Sequence, residues 1–393
     1  MSTNSSNYSK RSSTYSMEDR PWSDLPSELL QVILSRLPLP YHPSFSAVCK
    51  SWRDVTFRVY PADISPLLVY FKRWGDGILH CYSPSLNKSF RVSSPLDLSE
   101  CELYSSKDGW LVLYREHEVI LANPVASLMR NFPGLPFLNS FSGIAFSGRP
   151  PHKCTIFAID SMFTSSVEIS IWRPSRGWVS NIRYGNDYPF VAAPYSSPAV
   201  HNGRFYCLGV EGNLGVFNPK RATWKVLASP KSFAYKPEES YLVESKGKLL
   251  AVHVGNHNPP VRVVSLNEAE MVWERVITLS SATLFAGPGV SLVTTNRPKR
   301  MKNKVLVSRL IGKPETIEAE IRRFEGRAFF VPKQSSQQTP GEGRKQEATE
   351  KPGVCCYSLR ALKSSGYRDS IWYPCSIWYE PRTVMMSKLR FKM

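Results

Sequence analysis

Apolar side chains recur at helical spacing in two neighbouring stretches near the start of the chain. Pro26 suits the first position of a helix, where a missing N–H costs nothing, and Glu28 places a carboxylate in the positive first turn. The first apolar stripe, which Pro38 ends, comprises Leu29, Leu30, Ile33, Leu34 and Leu37. The second comprises Phe45, Val48, Cys49 and Trp52. The pattern predicts two short amphipathic helices, which are too small to cover each other's apolar faces without a further surface.

The pattern changes at about Leu67. From there, short runs rich in Val, Ile, Leu, Phe and Tyr alternate with clusters of Gly, Asn, Asp and Pro, which is typical of strands joined by turns. Two polar segments lack the apolar groups that a core needs. Residues 1–20 are predicted to form a disordered tail, and residues 333–353 a disordered insertion between a strand ending at Val331 and one starting near Val354.

A loose repeat runs through the β region at intervals of roughly 40 to 50 residues, the length of a propeller blade. Each copy is a strand end, a polar turn, and an aromatic residue or Met that starts the next strand. The copies span residues 81–92, 121–132, 171–182, 217–227 and 264–276, with marker residues Phe90, Met129, Trp178, Trp224 and Trp273. Glycine turns lie at Asp108-Gly109, Asn202-Gly203 and Lys246-Gly247. These features favour a β-propeller over a sandwich or an open sheet.

The charge is strongly basic, at +18 from 50 basic and 32 acidic residues. Such a balance suits nucleic acid, an anionic surface or acidic protein partners. The densest block, residues 297–304, fits a nuclear localisation signal or, as the preferred interpretation, a solvated turn before a strand at 305–307. No aromatic and glycine pattern of an RNA-binding sheet accompanies it, so nucleic acid is not favoured.

Neither a membrane segment nor a secretory signal is visible in the sequence. No apolar run approaches the ~18 residues that span a bilayer, and residues 1–20 have no hydrophobic centre. We therefore predict a soluble protein of the cytoplasm, the nucleus or both, with no membrane partner. The eight cysteines include no C-x-x-C pair and are predicted to be thiols that fill the core.

The sequence offers no catalytic, metal or cofactor site. The G-x-S-x-G, G-x-x-x-x-G-K-[ST] and H-E-x-x-H patterns are missing, and no cysteine has a recognisable catalytic flank. His253 and His257 are four residues apart, but a second pair of ligands does not accompany them. The prediction is a protein that is not an enzyme and has no cofactor or metal.

The first stretch resembles the F-box, the module by which substrate receptors of cullin-RING ubiquitin ligases dock on the Skp adaptor. The resemblance rests on residues 25–30 (LPSELL), on Ile33 and Leu37, and on residues 48–53 (VCKSWR). It implies that the adaptor contacts, or the small core beneath them, are Leu25, Pro26, Leu29, Ile33, Leu37, Val48, Cys49 and Trp52. Residues 41–44 depart from the pattern, because Pro43 must sit at a helix start.

The β region resembles the plant KIB-type β-propeller, a kelch-like domain that follows an F-box in its family. The resemblance rests on the order of residues 109–113, 121–124, 241–245, 249–252, 273–276, 284–287 and 378–381. It implies a mainly β protein, with a small all-α F-box at residues 21–60 and a single β-propeller at residues 67–393. The insertion at 333–353 leaves the blade number and the ring closure open.

These resemblances imply a substrate-recognition subunit of an SCF ubiquitin ligase. The F-box would dock on a Skp-family adaptor, and through it on cullin, while the propeller would bind a target protein whose identity is unknown. An alternative is a free-standing propeller whose degenerate F-box, marked by Pro43, does not dock. A third reading, a basic nucleic-acid binder, predicts binding that weakens steeply with salt.

Overall fold

A computed structural model describes most of the 393-residue chain. It describes residues 22–38, 41–56, 65–71, 76–86, 88–93, 95–124, 126–135, 141–150, 153–193, 196–227, 239–254, 261–287, 289, 291–295 and 301–308, and the backbone of 317–324, 327–334, 354–358, 376–379 and 390–392. The predicted tail at 1–20 and residues 335–353 of the predicted insertion lie outside these ranges. The chain forms two compact units, residues 1–62 and residues 63–393.

The first unit is helical. A 3-10 turn at Trp22–Asp24 precedes three helices, α1 (Ser27–Arg36), α2 (His42–Ser46) and α3 (Lys50–Thr56). Pro26 lies one residue before the predicted position, as the N-cap of α1, and its carbonyl accepts the N–H groups of Leu29 and Leu30 at 3.1 Å. Glu28 lies in the first turn, as predicted.

The prediction of one continuous second helix was wrong. Bonds from Ala47 N–H to Ser44 and from Val48 N–H to Phe45, both at 3.3 Å and three residues apart, tighten the chain after α2. The next helix, α3, begins only at Lys50. The apolar stripe that looked continuous in the sequence is therefore divided between two helices that meet at an angle set by this turn.

The second unit contains twenty-seven strands in the described residues. The strands of its first half are β1 (Leu67–Phe71), β2 (Leu79–Ser83), β3 (Lys88–Ser93), β4 (Glu102–Lys107), β5 (Trp110–Arg115), β6 (Glu118–Asn123), β7 (Leu128–Phe132), β8 (Gly143–Arg149), β9 (Lys153–Phe163), β10 (Ser166–Arg173) and β11 (Gly177–Gly185). Those of the second half are β12 (Ala199–His201), β13 (Arg204–Leu208), β14 (Leu214–Asn218), β15 (Thr223–Leu227), β16 (Glu239–Ser245), β17 (Lys248–Val254), β18 (Val261–Asn267), β19 (Val272–Arg275), β20 (Thr283–Ala286), β21 (Leu292–Thr294), β22 (Lys304–Ser308), β23 (Ile317–Phe324), β24 (Arg327–Gln334), β25 (Val354–Ser358), β26 (Ser376–Tyr379) and β27 (Arg390–Lys392).

These strands form a six-bladed β-propeller, which confirms the predicted fold class. Blades 2 to 5 are antiparallel meanders of four consecutive strands, β4–β7, β8–β11, β12–β15 and β16–β19. Neighbouring inner strands contact each other from β26 through β4, β8, β12 and β16 to β21. Each cluster of buried apolar side chains lies between two adjacent blades. A blade therefore buries apolar side chains on both of its faces.

The ring is closed by strands from the end of the chain. Blade 1 has the order β26-β1-β2-β3-β27, so that β26 supplies the inner strand and β27 the outermost one. Blade 6 has the order β21-β20-β22-β25, in which β20 pairs antiparallel with β21 and parallel with β22. The hairpin β23-β24 lies between β22 and β25 in sequence, and β24 continues to Gln334, three residues past the predicted end.

The predicted turns recur at equivalent places. The three glycine turns each join the inner strand of a blade to its second strand, and both central residues have positive φ: 52° and 79° at Asp108-Gly109, 49° and 71° at Asn202-Gly203, and 51° and 76° at Lys246-Gly247. Such type I′ turns match the twist of the strands that they join. The five repeat segments are the hairpins between the third and fourth strands of blades 1 to 5. The repeat prediction is confirmed.

The marker residues of the repeat link adjacent blades. The indole N–H of Trp178 donates to the carbonyl of Phe132 at 3.2 Å, and that of Trp273 donates to Gly212 at 3.2 Å. Trp224 donates to Oδ1 of Asn186 at 2.8 Å. The bonds run from the fourth strand of one blade to the preceding blade or, for Trp224, to the crossover that follows that blade. The Trp residues therefore tie the outer rim of the ring together.

Candidate functional site

Helix α1 is apolar on two adjoining faces, and only one of them is covered. Leu30 and Leu34 are buried against Phe45 of α2 and Val55 of α3. Leu25, Leu37 and Trp52 complete this small core, in which the rings of Phe45 and Trp52 lie 4.4 Å apart between centroids. Among the described residues, these seven side chains form the core of the helical unit, and the second face of α1 is not part of it.

The second face is exposed to solvent. Leu29 is 51% exposed, Val32 48% and Ile33 36%, and Val48, in the turn before α3, is 54% exposed. Trp22 is 59% exposed, and its carbonyl accepts the indole N–H of Trp52 at 2.9 Å. We call Leu29, Val32, Ile33 and Val48 the open face. Because these apolar side chains lie outside the core of the helical unit, the open face is a candidate binding surface.

The structure separates the eight predicted adaptor residues into two groups. Leu29, Ile33 and Val48 lie on the open face, and Pro26 is exposed beside them. The half-buried residues are Leu25, Leu37, Cys49 and Trp52. Their role in adaptor binding stays a prediction. The sequence reasoning missed Val32 and Trp22, although Val32 follows Leu29 at the helical interval of three.

Charges stand at both ends of the open face. Glu28 lies in the first turn of α1 and Arg36 in the last, which is the favourable order for a helix dipole. Hydrogen bonds from the backbone N–H of Glu28 and from the Ser27 hydroxyl lower the pKa of the Glu28 carboxyl group, so this group is charged at neutral pH. The face is thus an apolar strip with an anion at one end and a cation at the other.

The residues where the sequence departs from the F-box pattern are well accommodated. Pro43 is the second residue of α2, where its missing N–H removes no intrahelical bond. His42 is buried, and its Nε2 lies 3.1 Å from the carbonyl oxygen of Leu37. Burial lowers the pKa of His42, which keeps the ring neutral at neutral pH. This contact fixes the start of α2 against the end of α1.

The propeller has a cavity of about 440 Å³ among its inner strands β4, β8, β12, β16 and β21. Serines and threonines contribute much of the lining, and the charged lining residues are Lys107, Asp108, Glu244 and Lys246. Asp108 and Lys246 belong to glycine turns that the sequence had marked, and Lys107 and Glu244 lie just before these turns, although the sequence gave no sign of a cavity there. The hydroxyl of Ser105 donates to the carbonyl of Ile144 at 2.8 Å and joins two inner strands. The cavity is thus lined by inner strands of blades 2 to 6.

His253, one of the two spaced histidines, has a structural place. It is buried on β17, and its Nδ1 lies 2.9 Å from Oγ of Ser240 on β16. His257 lies outside the described residues. Among the residues that the structure describes, no group of three or more His, Cys, Asp or Glu side chains is placed to hold a metal ion. In the same residues no helix is long and apolar enough to cross a membrane.

His253 is expected to make the propeller less stable in acid. Burial, and secondarily the charge of Arg262, lowers its pKa to about 4, whereas an imidazole in the unfolded chain has a pKa of ~6.5. Because the unfolded state then binds the proton more tightly, the free energy of unfolding falls as the pH drops from ~6.5 towards 4, by about 2 to 3 kcal/mol. Urea unfolding of the wild type and of His253→Asn at pH 7 and pH 4.5 measures this, and an equal pH dependence in both proteins would contradict it.

The cysteines that the structure describes with side chains are free thiols. Cys81, Cys101, Cys154 and Cys207 are buried in the propeller, which confirms for these four the prediction of core fillers. Burial raises the pKa of Cys101 and Cys154 to about 11 and also raises the pKa of Cys81 and Cys207. Residues 305–307, which follow the basic block, lie in β22 as predicted, while residues 296–300 lie outside the described ranges.

Comparison with known proteins agrees with both resemblances. A family model described as the F-box domain matches residues 22–60, and one described as the KIB1-4 beta-propeller matches residues 81–336. F-box/kelch-repeat protein At1g57790 of Arabidopsis thaliana is 30% identical over 274 residues, which cover 67% of this chain and 76% of that protein. Two further Arabidopsis thaliana proteins are similar: F-box protein At3g56470 is 27% identical (71% of this chain, 75% of that protein), and F-box/kelch-repeat protein At3g18720 is 28% identical (71% and 77%). The chain belongs to the family of plant F-box proteins that carry a KIB1-4 β-propeller.

Proposed function

We propose that this chain is the substrate-recognition subunit of an SCF-type ubiquitin ligase. The observation that carries the proposal is the open face, which lies on a segment that the F-box model matches and stays uncovered although the core beneath it is filled. The face would dock on a Skp-family adaptor and, through it, on cullin. The central contacts would be Leu29, Ile33 and Val48, with Val32 beside them.

The open face has apolar side-chain surface that a partner can still bury. Complete burial of a Val, Leu or Ile side chain stabilises by ~1.5 to 3 kcal/mol, and these side chains have about half of that still to gain. A partner with a complementary apolar groove would therefore gain about 1 kcal/mol from each of the four. The half-buried Leu25, Leu37, Cys49 and Trp52 would hold α1 and the turn before α3 in the docking geometry.

The alternative of a propeller with a degenerate, non-docking F-box rested on Pro43. Pro43 lies in the first turn of α2, where proline is compatible with helix geometry. Its presence therefore does not disfavour a docking F-box. The contact between His42 and the end of α1 further shows that the altered segment is built into the unit. We therefore favour docking over a free-standing propeller.

The propeller would hold the target protein and perform no bond chemistry. A receptor of this kind raises the effective concentration of target lysines near the ubiquitin-charged enzyme at the far end of the scaffold. Loops on a rigid ring are the usual place for such binding. F-box and propeller domains are typical of non-catalytic adaptor subunits. The proposal places the protein in the cytoplasm, the nucleus or both.

Adaptor binding of the full chain tests the proposal. Leu29→Asp places a charge at the centre of the open face and is expected to weaken binding to a plant Skp-type adaptor by at least about a hundredfold, because the carboxylate would have to be buried without a partner. The measurement is co-purification followed by titration in a calorimeter. The fold of the helical unit should survive, because Leu29 is 51% exposed.

Leu128→Asp is the matched control. Leu128 is 48% exposed on β7 of the propeller, so the same substitution there changes the charge equally and should leave adaptor binding unchanged. If the wild type binds no plant Skp-type adaptor, or if Leu29→Asp binds as well as Leu128→Asp, the ligase proposal fails.

A further inference from the structure

We propose that the target protein is held on a ridge of blades 3 and 4, and that it binds there through an apolar segment flanked by Lys or Arg. The ridge consists of the turn at 163–165, the crossover at 186–193 and the turn at 209–213. That the bound protein is a ubiquitination target rests on the proposed function. The binding surface and the chemistry of its ligand follow from the propeller alone.

Hydrogen bonds join the three segments of the ridge into one surface. In the first turn, the carbonyl of Thr164 accepts from the N–H of Phe190 at 2.9 Å and from Nδ2 of Asn186 at 2.8 Å. On the other side, the N–H of Val210 donates to Val191 at 2.9 Å. The crossover is thus held between the two turns along its length, and the backbones of the three segments are fixed relative to one another.

The ridge rests on a rigid base. Phe190 is 1% exposed, and its ring packs edge to face on Trp224 with 5.4 Å between centroids. Asn186, at the start of the crossover, accepts the indole N–H of Trp224 at 2.8 Å. Nδ2 of Asn213 donates to the carbonyl of Pro189 at 2.8 Å. A surface that is ordered before binding loses little entropy when a partner arrives.

Large apolar side chains project from each segment. Phe163 is 59% exposed, Tyr188 50% and Val210 45%. Aromatic residues on a rigid surface are the usual anchors of protein interfaces. Both turns follow the second strand of their blade, β9 and β13, so the ridge lies at the end of the blades opposite the glycine turn that joins β12 to β13.

The charge of the ridge selects its partner. Asp187 and Glu211 are exposed next to Tyr188 and Val210, and the three segments contain no Lys or Arg in their sequence, although the chain has 50. An acidic and aromatic surface on a protein of net charge +18 attracts basic segments that the rest of the surface repels. Ridge-to-ridge pairing of two copies of this chain is disfavoured, because it would bring like charges together.

A random 12-residue peptide library displayed on phage and selected against the full chain tests the inference. Enriched peptides are expected to carry Lys or Arg beside aromatic or branched aliphatic residues. Synthetic copies should bind at least about tenfold more weakly to the double variant Phe163→Ser, Tyr188→Ser. Neutralisation by Asp187→Asn with Glu211→Gln should weaken binding about fivefold and reduce its dependence on salt.

The control is the double variant Leu128→Ser, Met129→Ser. These residues are 48% and 38% exposed on β7, outside the ridge, and their loss should leave peptide binding unchanged. Thermal melting checks that each variant is folded. The inference is overturned if no peptide is enriched, if the enriched peptides lack basic residues, if both double variants bind alike, or if the ridge proves to form a dimer of this chain.

Adaptor binding is measured on the same protein preparations to keep the two proposals apart. Peptide binding at the ridge without adaptor binding would contradict the proposed ligase function and support the ridge as a binding surface. Adaptor binding with no peptide bound at the ridge would agree with the ligase function and contradict the proposal that the ridge binds the target.

Discussion

Trp224→Ala is expected to lower the free energy of unfolding of the propeller by about 3 to 5 kcal/mol. The indole is buried at 9% exposure, packs on Phe190, and donates a hydrogen bond to Asn186 of the preceding blade. It also lies directly over Gly215 of β14, where no side chain can fill the space that the indole would leave. The loss therefore combines apolar burial, a cavity and an unpaired Asn186 oxygen. Urea unfolding, followed by the far-ultraviolet circular dichroism of the backbone, measures this change in the free energy of unfolding.

Met129→Ala is the matched control for this prediction. Met129 holds the same position in the repeat of blade 2, but its side chain is 38% exposed, so its truncation should cost less than about 1 kcal/mol. Trp224→Phe keeps most of the buried area and is expected to lose about 1 to 2 kcal/mol, mainly through the missing hydrogen bond. If Trp224→Ala and Met129→Ala have equal effects, the indole of Trp224 does not link blades 3 and 4 in the way described.

Leu34→Asp is expected to unfold the helical unit and to abolish adaptor binding. Leu34 is 0% exposed at the centre of the core of that unit, and a carboxyl group there has no partner. Burial of such a group costs several kcal/mol whether it is charged or has to take up a proton. A unit of this size has little stability to lose. Hydrogen exchange of the amides in α1 to α3 should show loss of protection.

A Leu→Asp substitution on the open face of α1 is the contrasting variant. Leu29→Asp, five residues earlier on α1, is expected to keep the protection of these amides while losing adaptor binding. In neither variant should the melting of the propeller change, because the described core of the helical unit comprises residues between 25 and 55, and the described propeller cores begin at residue 67. Protected amides in Leu34→Asp would contradict the assignment of Leu34 to the core.

Features that depend on local chemistry were predictable from the sequence. The type I′ turns at Asp108-Gly109, Asn202-Gly203 and Lys246-Gly247 need two residues with positive φ, and Asn, Asp and Gly favour that conformation. The hairpins of the repeat are likewise set by a polar turn between two apolar strands. Helix α1 was predictable because its apolar spacing, Glu28 and the following Pro38 agree with one another.

Features that depend on distant pairing were not predictable. The sequence could not show that β26 and β27 pair with β1 and β3, since nothing local marks partners that far apart, and so the blade number stayed open. The parallel pairing of β20 with β22 breaks the meander for the same reason. At the candidate site, Leu29 and Leu30 are neighbours of equal hydrophobicity. Only the packing of α2 and α3 decides that Leu30 is buried and Leu29 is exposed.

The closure of blade 1 by β26 and β27 determines when the propeller can be completed during synthesis. Strands β1 to β3 leave the ribosome early, but their inner and outer partners follow roughly 300 residues later, which takes about 15 to 60 s at ~5–20 residues per second. During this interval β1 and β3 present unpaired edges, which are sites where other chains can add a strand. The nascent protein is therefore expected to be prone to aggregation until β26 and β27 emerge, and a premature stop before β26 would leave the inner edge of β1 and the outer edge of β3 unpaired.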